Sequence, residues 1–115
     1  MDPSDIIRVR HMLAATQEAV TFAIDKRRSQ LDDDRMLVLA LVKAVEMIGE
    51  AAGKISPATR SREPEIPWQA IVAMRNRLIH GYFDINLDIV WTTVTQELPT
   101  LIRALESILA RTEPS

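Results

Sequence analysis

Residues 36 to 55 read MLVLALVKAVEMIGEAAGKI, from Met36 to Ile55, and hold only four charged side chains. These are Lys43, Glu46, Glu50 and Lys54, spaced three, four and four residues apart. On a helix that spacing gathers them into one narrow polar stripe, and every other position is Leu, Val, Ile, Met, Ala or Gly. A helix apolar around most of its circumference has to be buried on several sides. In a chain of 115 residues this predicts a compact all-α bundle with the segment at its heart. The remaining apolar surface is covered either by a partner subunit, our preferred expectation, or by the other helices of a monomer. Asp32, Asp33 and Asp34 stand where acids favour a helix start. They resemble a metal-ligating cluster, but their position is that of caps.

Working outward, Ser4 or Asp5 is the expected N-cap of a first helix reaching about Arg28, with Ile6, Val9, Leu13, Thr16, Val20 and Ile24 at the helical period. Ser56 to Pro67, with three prolines, reads as an exposed loop. Pro67 opens a third helix whose core stripe is Trp68, Ile71, Val72, Leu78 and Ile79, and Gly81 is its expected stop. Asn86 or Asp84 caps a fourth helix with Leu87, Val90, Trp91, Val94 and Leu98 inward. Pro99 breaks or restarts it, and Leu101, Ile102, Leu105, Ile108 and Leu109 carry a fifth. The expectation is one domain, residues 1–115, of four to five helices.

Composition narrows the function. Zero cysteines exclude disulfides, thiol nucleophiles and cysteine-built zinc sites, and fit a cytoplasmic protein. The acidic N-terminus lacks an apolar signal region, and no apolar run approaches a membrane span of ~20 residues. The net charge of −2 argues against coating nucleic acid by bulk electrostatics. Charge is uneven, however: Lys54 to Phe83 holds five cations against two anions, which suits one localised phosphate ligand. No P-loop, dinucleotide fingerprint or Ser/His/Asp arrangement is present, and His11 has no partner at metal-ligand spacing.

Reactive groups concentrate in Arg75-Asn76-Arg77-Leu78-Ile79-His80-Gly81-Tyr82, which includes one of two histidines and the sole tyrosine. Arginine is a fixed cation that matches phosphate, histidine a proton carrier near neutrality, and tyrosine a hydroxyl. Arg75 falls in the apolar stripe of the third helix, where it is either functional or paired with a carboxylate such as Glu46. Asn76 and His80, four apart, share a helical face. Arg75 and His80, five apart, diverge by roughly 140° around an ideal helix. Convergence on one phosphate then calls for the arginine's reach, a loosened last turn, or a second copy of the chain; a composite site is the favoured reading.

Arg75-x4-His80-x-Tyr82 resembles the R-x4-H-x-Y signature of HepT, the toxin of MNT/HepT toxin–antitoxin pairs in the HEPN superfamily. Ile48-Gly49-Glu50-Ala51, Ile66-Pro67-Trp68 and the sequence through Phe83 look like this family as well. The resemblance implies a HEPN-type helical bundle, dimerising with two motifs facing across a cleft, and a metal-independent endoribonuclease without a cofactor. It implies His80 as general acid and base and Arg75 as stabiliser of the charged transition state, with Asn76 and Glu46 supporting. It implies that Tyr82 receives AMP from an MNT-type nucleotidyltransferase antitoxin, which silences the enzyme in a type VII-like toxin–antitoxin pair. The alternative is a non-catalytic subunit that binds nucleotide or substrate for such a nucleotidyltransferase.

Overall fold

The first helix, α1 (Pro3–Ala23), begins with the Asp2 carboxylate accepting the Ser4 amide at 2.7 Å and with Pro3 inside the first turn, where its missing N–H costs nothing. The computed structural model describes residues 1–80 and 84–112. Neither Ser4 nor Asp5 is the cap, as the sequence had suggested. Asp5 is instead buried, 3% exposed, and ties the start of α1 to the residues after the second helix. Its carboxylate accepts from Ser56 N (3.0 Å), Ser56 Oγ (2.6 Å) and Thr59 Oγ1 (2.6 Å). α1 ends at Ala23, short of the expected Arg28, because Ile24 turns extended and Asp25 takes a left-handed conformation at φ 61°. Aspartate is among the residues that visit that region at least cost. A 3₁₀ turn, Arg28–Asp32, follows and buries Leu31.

The second helix, α2 (Arg35–Gly53), runs as the pattern predicts, with Asp34 accepting the Leu37 amide at 2.9 Å. Leu37, Val38, Leu41, Val42, Val45, Ile48 and Ala52 are buried against α1 and the segments that follow. Lys43, Glu50 and Lys54 are exposed and Glu46 is half-buried, so the polar stripe faces outward. Burial is incomplete, however. Met36 (83% exposed), Leu39 (47%) and Met47 (44%) stand in water beside that stripe.

The stretch expected as loop contains a short helix, α3 (Pro57–Arg62), capped by Ser56 and pinned by the buried Thr59 hydroxyl on Asp5. A proline-rich segment conceals this helix because its anchor lies 54 residues away. The predicted third helix is two pieces, α4 (Trp68–Val72) and α5 (Met74–Leu78), with Pro67 just ahead of the first. Trp68, Ile71 and Leu78 are buried as expected, but Met74 joins them, while Val72 is 43% exposed and Ile79 half-buried. Asn86 accepts the Ile89 amide at 3.1 Å and starts α6 (Leu87–Thr92). A π-helical turn (Thr93–Glu97) then leads without a gap into α7 (Leu98–Thr112), so the expected fourth and fifth helices are one continuous rod. Val90, Val94, Leu98, Leu101, Leu105 and Ile108 form its buried side. The protein is an all-α HEPN-type bundle. Among the described residues, extended pairing is limited to one isolated bridge, Ile79 with Ile85, and no helix is long and apolar enough to cross a membrane.

Gly49 sets how closely α4 approaches α2. A Cβ there would lie 3.4 Å from the Ile71 carbonyl oxygen and 3.5 Å from that of Val72. Alanine fits at ordinary contact, whereas a longer side chain meets backbone. Gly49→Leu is therefore expected to lose about 1–3 kcal/mol in denaturant unfolding. Gly49→Ala should hold or gain, since glycine costs ~1 kcal/mol inside a helix. Equal stability of the leucine variant would contradict this packing.

Candidate functional site

The break between α4 and α5 decides where the arginines point. Ala73 bends out of the α4 path (φ −85°, ψ −3°), and the Asn76 amide donates to the Ala73 carbonyl, a three-residue bond tighter than the α-helical one. This shift in phase puts Met74 and Leu78 into the core and turns Arg75 outward. The expectation that Arg75 interrupts a buried stripe is thus corrected, because that stripe assumes an unbroken helix. Its side chain is 45% exposed, and Nε donates to Glu46 Oε1 at 2.9 Å. Lys43 Nζ lies 3.9 Å from the other oxygen of Glu46. An ion pair this exposed contributes only about 0–1 kcal/mol to stability. Its consequence is positional: the guanidinium is held against the polar stripe of α2 with further N–H donors facing solvent.

His80 is not on a helix. α5 ends at Leu78, Ile79 is extended (φ −123°, ψ 124°), and His80 N donates to the Asp84 carbonyl at 2.7 Å. Asn86 N closes the arrangement on the Leu78 carbonyl, also at 2.7 Å. The pairing of Ile79 with Ile85 carries His80 out of the helical path, so Asn76 and His80 do not stack one turn apart as their spacing had implied. Asn76 is exposed, and among the described residues its side chain has no hydrogen-bond partner.

The exposed His80 lines an open cleft of about 450 Å³ with Arg77, Asp88, Ile89, Thr92 and Glu97. Both acids in it are already matched. Arg28 Nε donates to Asp88 Oδ1 at 2.6 Å, and Arg77 Nη2 donates to Glu97 Oε1 at 3.1 Å. Asp88 first and then Asp32, by accepting its hydrogen bonds, hold the Arg28 guanidinium above its ordinary pKa. Arg77 is the cation that lines this cleft with His80, and the motif gave it no role beyond that of a phosphate-matching arginine, the catalytic role going to Arg75. The available signal was its place three residues before the histidine, a spacing that makes neighbours on a helix.

The structure therefore joins Arg75 to Glu46 and places His80 and Arg77 on the lining of one cleft. Among the described residues no hydrogen bond or ion pair links Arg75 to His80. Tyr82, and with it the expected Gly81 stop, lies outside the described residues.

A family model described as Ribonuclease HepT-like matches residues 12–108, which include Glu46, Arg75 and His80. This chain belongs to that ribonuclease family. It is 37% identical over 78 residues to the protein named "Putative RNase TTE0752" of Caldanaerobacter subterraneus, spanning 68% of this chain and 70% of that one. It is 36% identical over 75 residues to "Probable ribonuclease HepT" of Thermococcus cleftensis, spanning 65% and 68%. With "Putative RNase MJ1380" of Methanocaldococcus jannaschii it shares 30% identity over 97 residues, 84% of this chain and 89% of that one. No solved structure matches the chain.

Proposed function

We propose that this protein is a metal-independent endoribonuclease that works as a homodimer in the cytoplasm. It is the toxin of a type VII-like toxin–antitoxin pair, silenced when an MNT-type nucleotidyltransferase attaches AMP to Tyr82. The observation that carries the catalytic part is His80, released from the end of α5 into an open cleft beside Arg77. In the free-base form its imidazole takes the proton of a ribose 2′-hydroxyl. The oxygen then attacks the adjacent phosphorus, and the 5′-oxygen leaves with a proton from an imidazolium. Arginine N–H groups stabilise the negative charge that builds on the phosphoryl oxygens.

Arg75 serves this chemistry from across a dimer interface. Met36, Leu39 and Met47 are exposed on the outward side of α2, and Glu46, which holds Arg75, is next to Met47 on that helix. A second copy seated on this apolar face covers it and brings its own motif to the first, which supplies the Arg75–His80 convergence that one chain lacks. Asn76, exposed on α5, supports the phosphate. AMP on Tyr82, two residues beyond His80, adds negative charge and bulk where RNA phosphate must enter.

Cleavage of RNA in EDTA by unmodified protein, together with a dimeric mass in solution, tests the first half. Failure to cleave any of a varied set of transcripts would favour the nucleotide-binding subunit instead, a reading supported by the separation of Arg75 from His80 within one chain. A mass increase of one AMP on the Tyr82 peptide after incubation with the nucleotidyltransferase and ATP tests the second half.

Glu46 acts through Arg75. Glu46→Ala is expected to lower kcat roughly tenfold with KM little changed, and Glu46→Asp to recover part of it, since the lost interaction matters in the transition state. A pure rise in KM would place Glu46 in RNA binding instead.

A further inference from the structure

Beyond the His80 cleft a second groove, about 340 Å³, opens between α4–α5 and the π turn with α7. Its floor is apolar, with Ile71, Met74, Leu101 and Ala104, and its rim carries Gln96 and Thr100. Arg77 and Glu97 line both cavities, so their ion pair is the ridge between them. We propose that this groove is a nucleobase subsite, which receives the base of the RNA nucleotide whose phosphate lies in the His80 cleft. The proposal rests on the ribonuclease reading and extends it to base selection.

Three observations carry it. The first is continuity: cleft and groove share Arg77 and Glu97, so one nucleotide can set its phosphate on one side of that pair and its base on the other. Arg77 and Glu97 are each 44% exposed, so their pair is weak and opens easily to let the guanidinium bind phosphate. The second is chemistry. A flat apolar base suits a floor of aliphatic side chains with one methionine, whose thioether favours aromatic rings, and a glutamine amide offers both a donor and an acceptor to a base edge.

The third is the π turn. Pro99 has no N–H for the Thr95 carbonyl, and its ring crowds that oxygen. The helix widens in the turn just before, at Thr93–Glu97, rather than breaking. Such turns recur at functional sites. Here the wide turn supplies Gln96 to the groove and Glu97 to the ridge, and the buried Thr93 hydroxyl donates to Glu97 Oε2 at 3.3 Å. Glu97 is thereby held from behind by Thr93 as well as by Arg77.

The test uses the full chain, an RNA library with the four bases randomised around the cut, and Ala104→Trp and Gln96→Ala variants with unchanged helical content. The wild type is expected to prefer certain bases beside the cut by roughly tenfold or more in kcat/KM. Both variants should flatten that preference to within about twofold. An unaltered preference in both variants, with cleavage intact, overturns the subsite and leaves the ribonuclease reading standing. A wild type without RNA cleavage sinks that reading, and binding then decides the groove by itself. Titration with the four ribonucleoside monophosphates should shift amide signals of α4, the π turn and α7, and the shifts should vanish in Ala104→Trp; no shift in the wild type overturns the proposal. Conversion of a dimer to a monomer by Ala104→Trp also overturns it, since the groove would then be a contact between chains.

Discussion

His80→Ala is expected to reduce RNA cleavage by about 10²–10⁴-fold, the range that a positioned proton-transferring side chain supplies. The histidine is exposed and its ring makes no hydrogen bond within the described residues, so the variant should keep its thermal midpoint and its mass in solution. His80→Asn keeps a polar group but cannot shuttle protons near neutrality, and should be as inactive as alanine. Measured kcat/KM on a defined transcript in EDTA decides the matter. Undiminished cleavage by a folded His80→Ala dimer would remove His80 from the chemistry and shift attention to Arg77 and Arg75 as electrostatic stabilisers acting without it.

The second large effect concerns stability. Asp5→Ala should cost about 2–4 kcal/mol at neutral pH, because it strands the Ser56 and Thr59 hydroxyls and unties α1 from α3. Burial by itself would raise the Asp5 carboxyl, but the hydrogen bonds from Ser56 Oγ, Thr59 Oγ1 and Ser56 N outweigh it and hold the group below 3.8. A carboxyl depressed by folding contributes stability that is complete well above its unfolded value of ~3.9 and disappears as pH falls through the folded value. The stability difference between wild type and Asp5→Ala should therefore be widest at neutral pH and narrow on acidification below about pH 4. Urea unfolding at a series of pH values measures it. A difference that grows on acidification would show that the carboxyl is not held as its anion.

Glu63 behaves in the opposite sense. Burial raises its carboxyl above 4.5, with the hydrogen bond it shares with Glu65 adding to the rise, and Arg111 at 2.6 Å draws it back. This cluster fastens the end of α7 to the segment before α4, and the Trp68 indole N–H donates to the Glu63 carbonyl at 3.0 Å. Floor and wall of the proposed base groove are thus held to each other at that end.

The helices that carry long apolar periods could be read directly. Asp34 and Asn86 cap α2 and α6 as their positions suggest, and the inward residues of α2, α6 and α7 follow from spacing, because a periodic apolar face has one way to leave water. α3 was hidden because six residues with a proline form a helix there only under a distant carboxylate. Asp5 resembled a cap for the same reason: its partners follow α2 and are invisible at the N-terminus. For the site, sequence could name Arg75, His80 and Glu46, and even the pairing of Arg75 with Glu46 as one of two options. The three-residue spacing of Arg77 and His80 already allows them to be neighbours, but spacing could not show that the helix ends before His80 or that a cleft opens between them and α6.

Sequence by itself determined the class of fold, the central apolar helix, its polar stripe and the residues that bear reactive groups, because these depend on local periodicity and side-chain chemistry. Tertiary structure decided which of those groups meet. The Ala73 break turns Arg75 onto Glu46, the Ile79–Ile85 pairing lifts His80 into the cleft with Arg77, and the π turn before Pro99 builds the neighbouring groove. Arg75 meets Glu46 across 29 residues of chain, while the Ile79–Ile85 pairing and the turn before Pro99 interrupt helices that a regular period treats as unbroken.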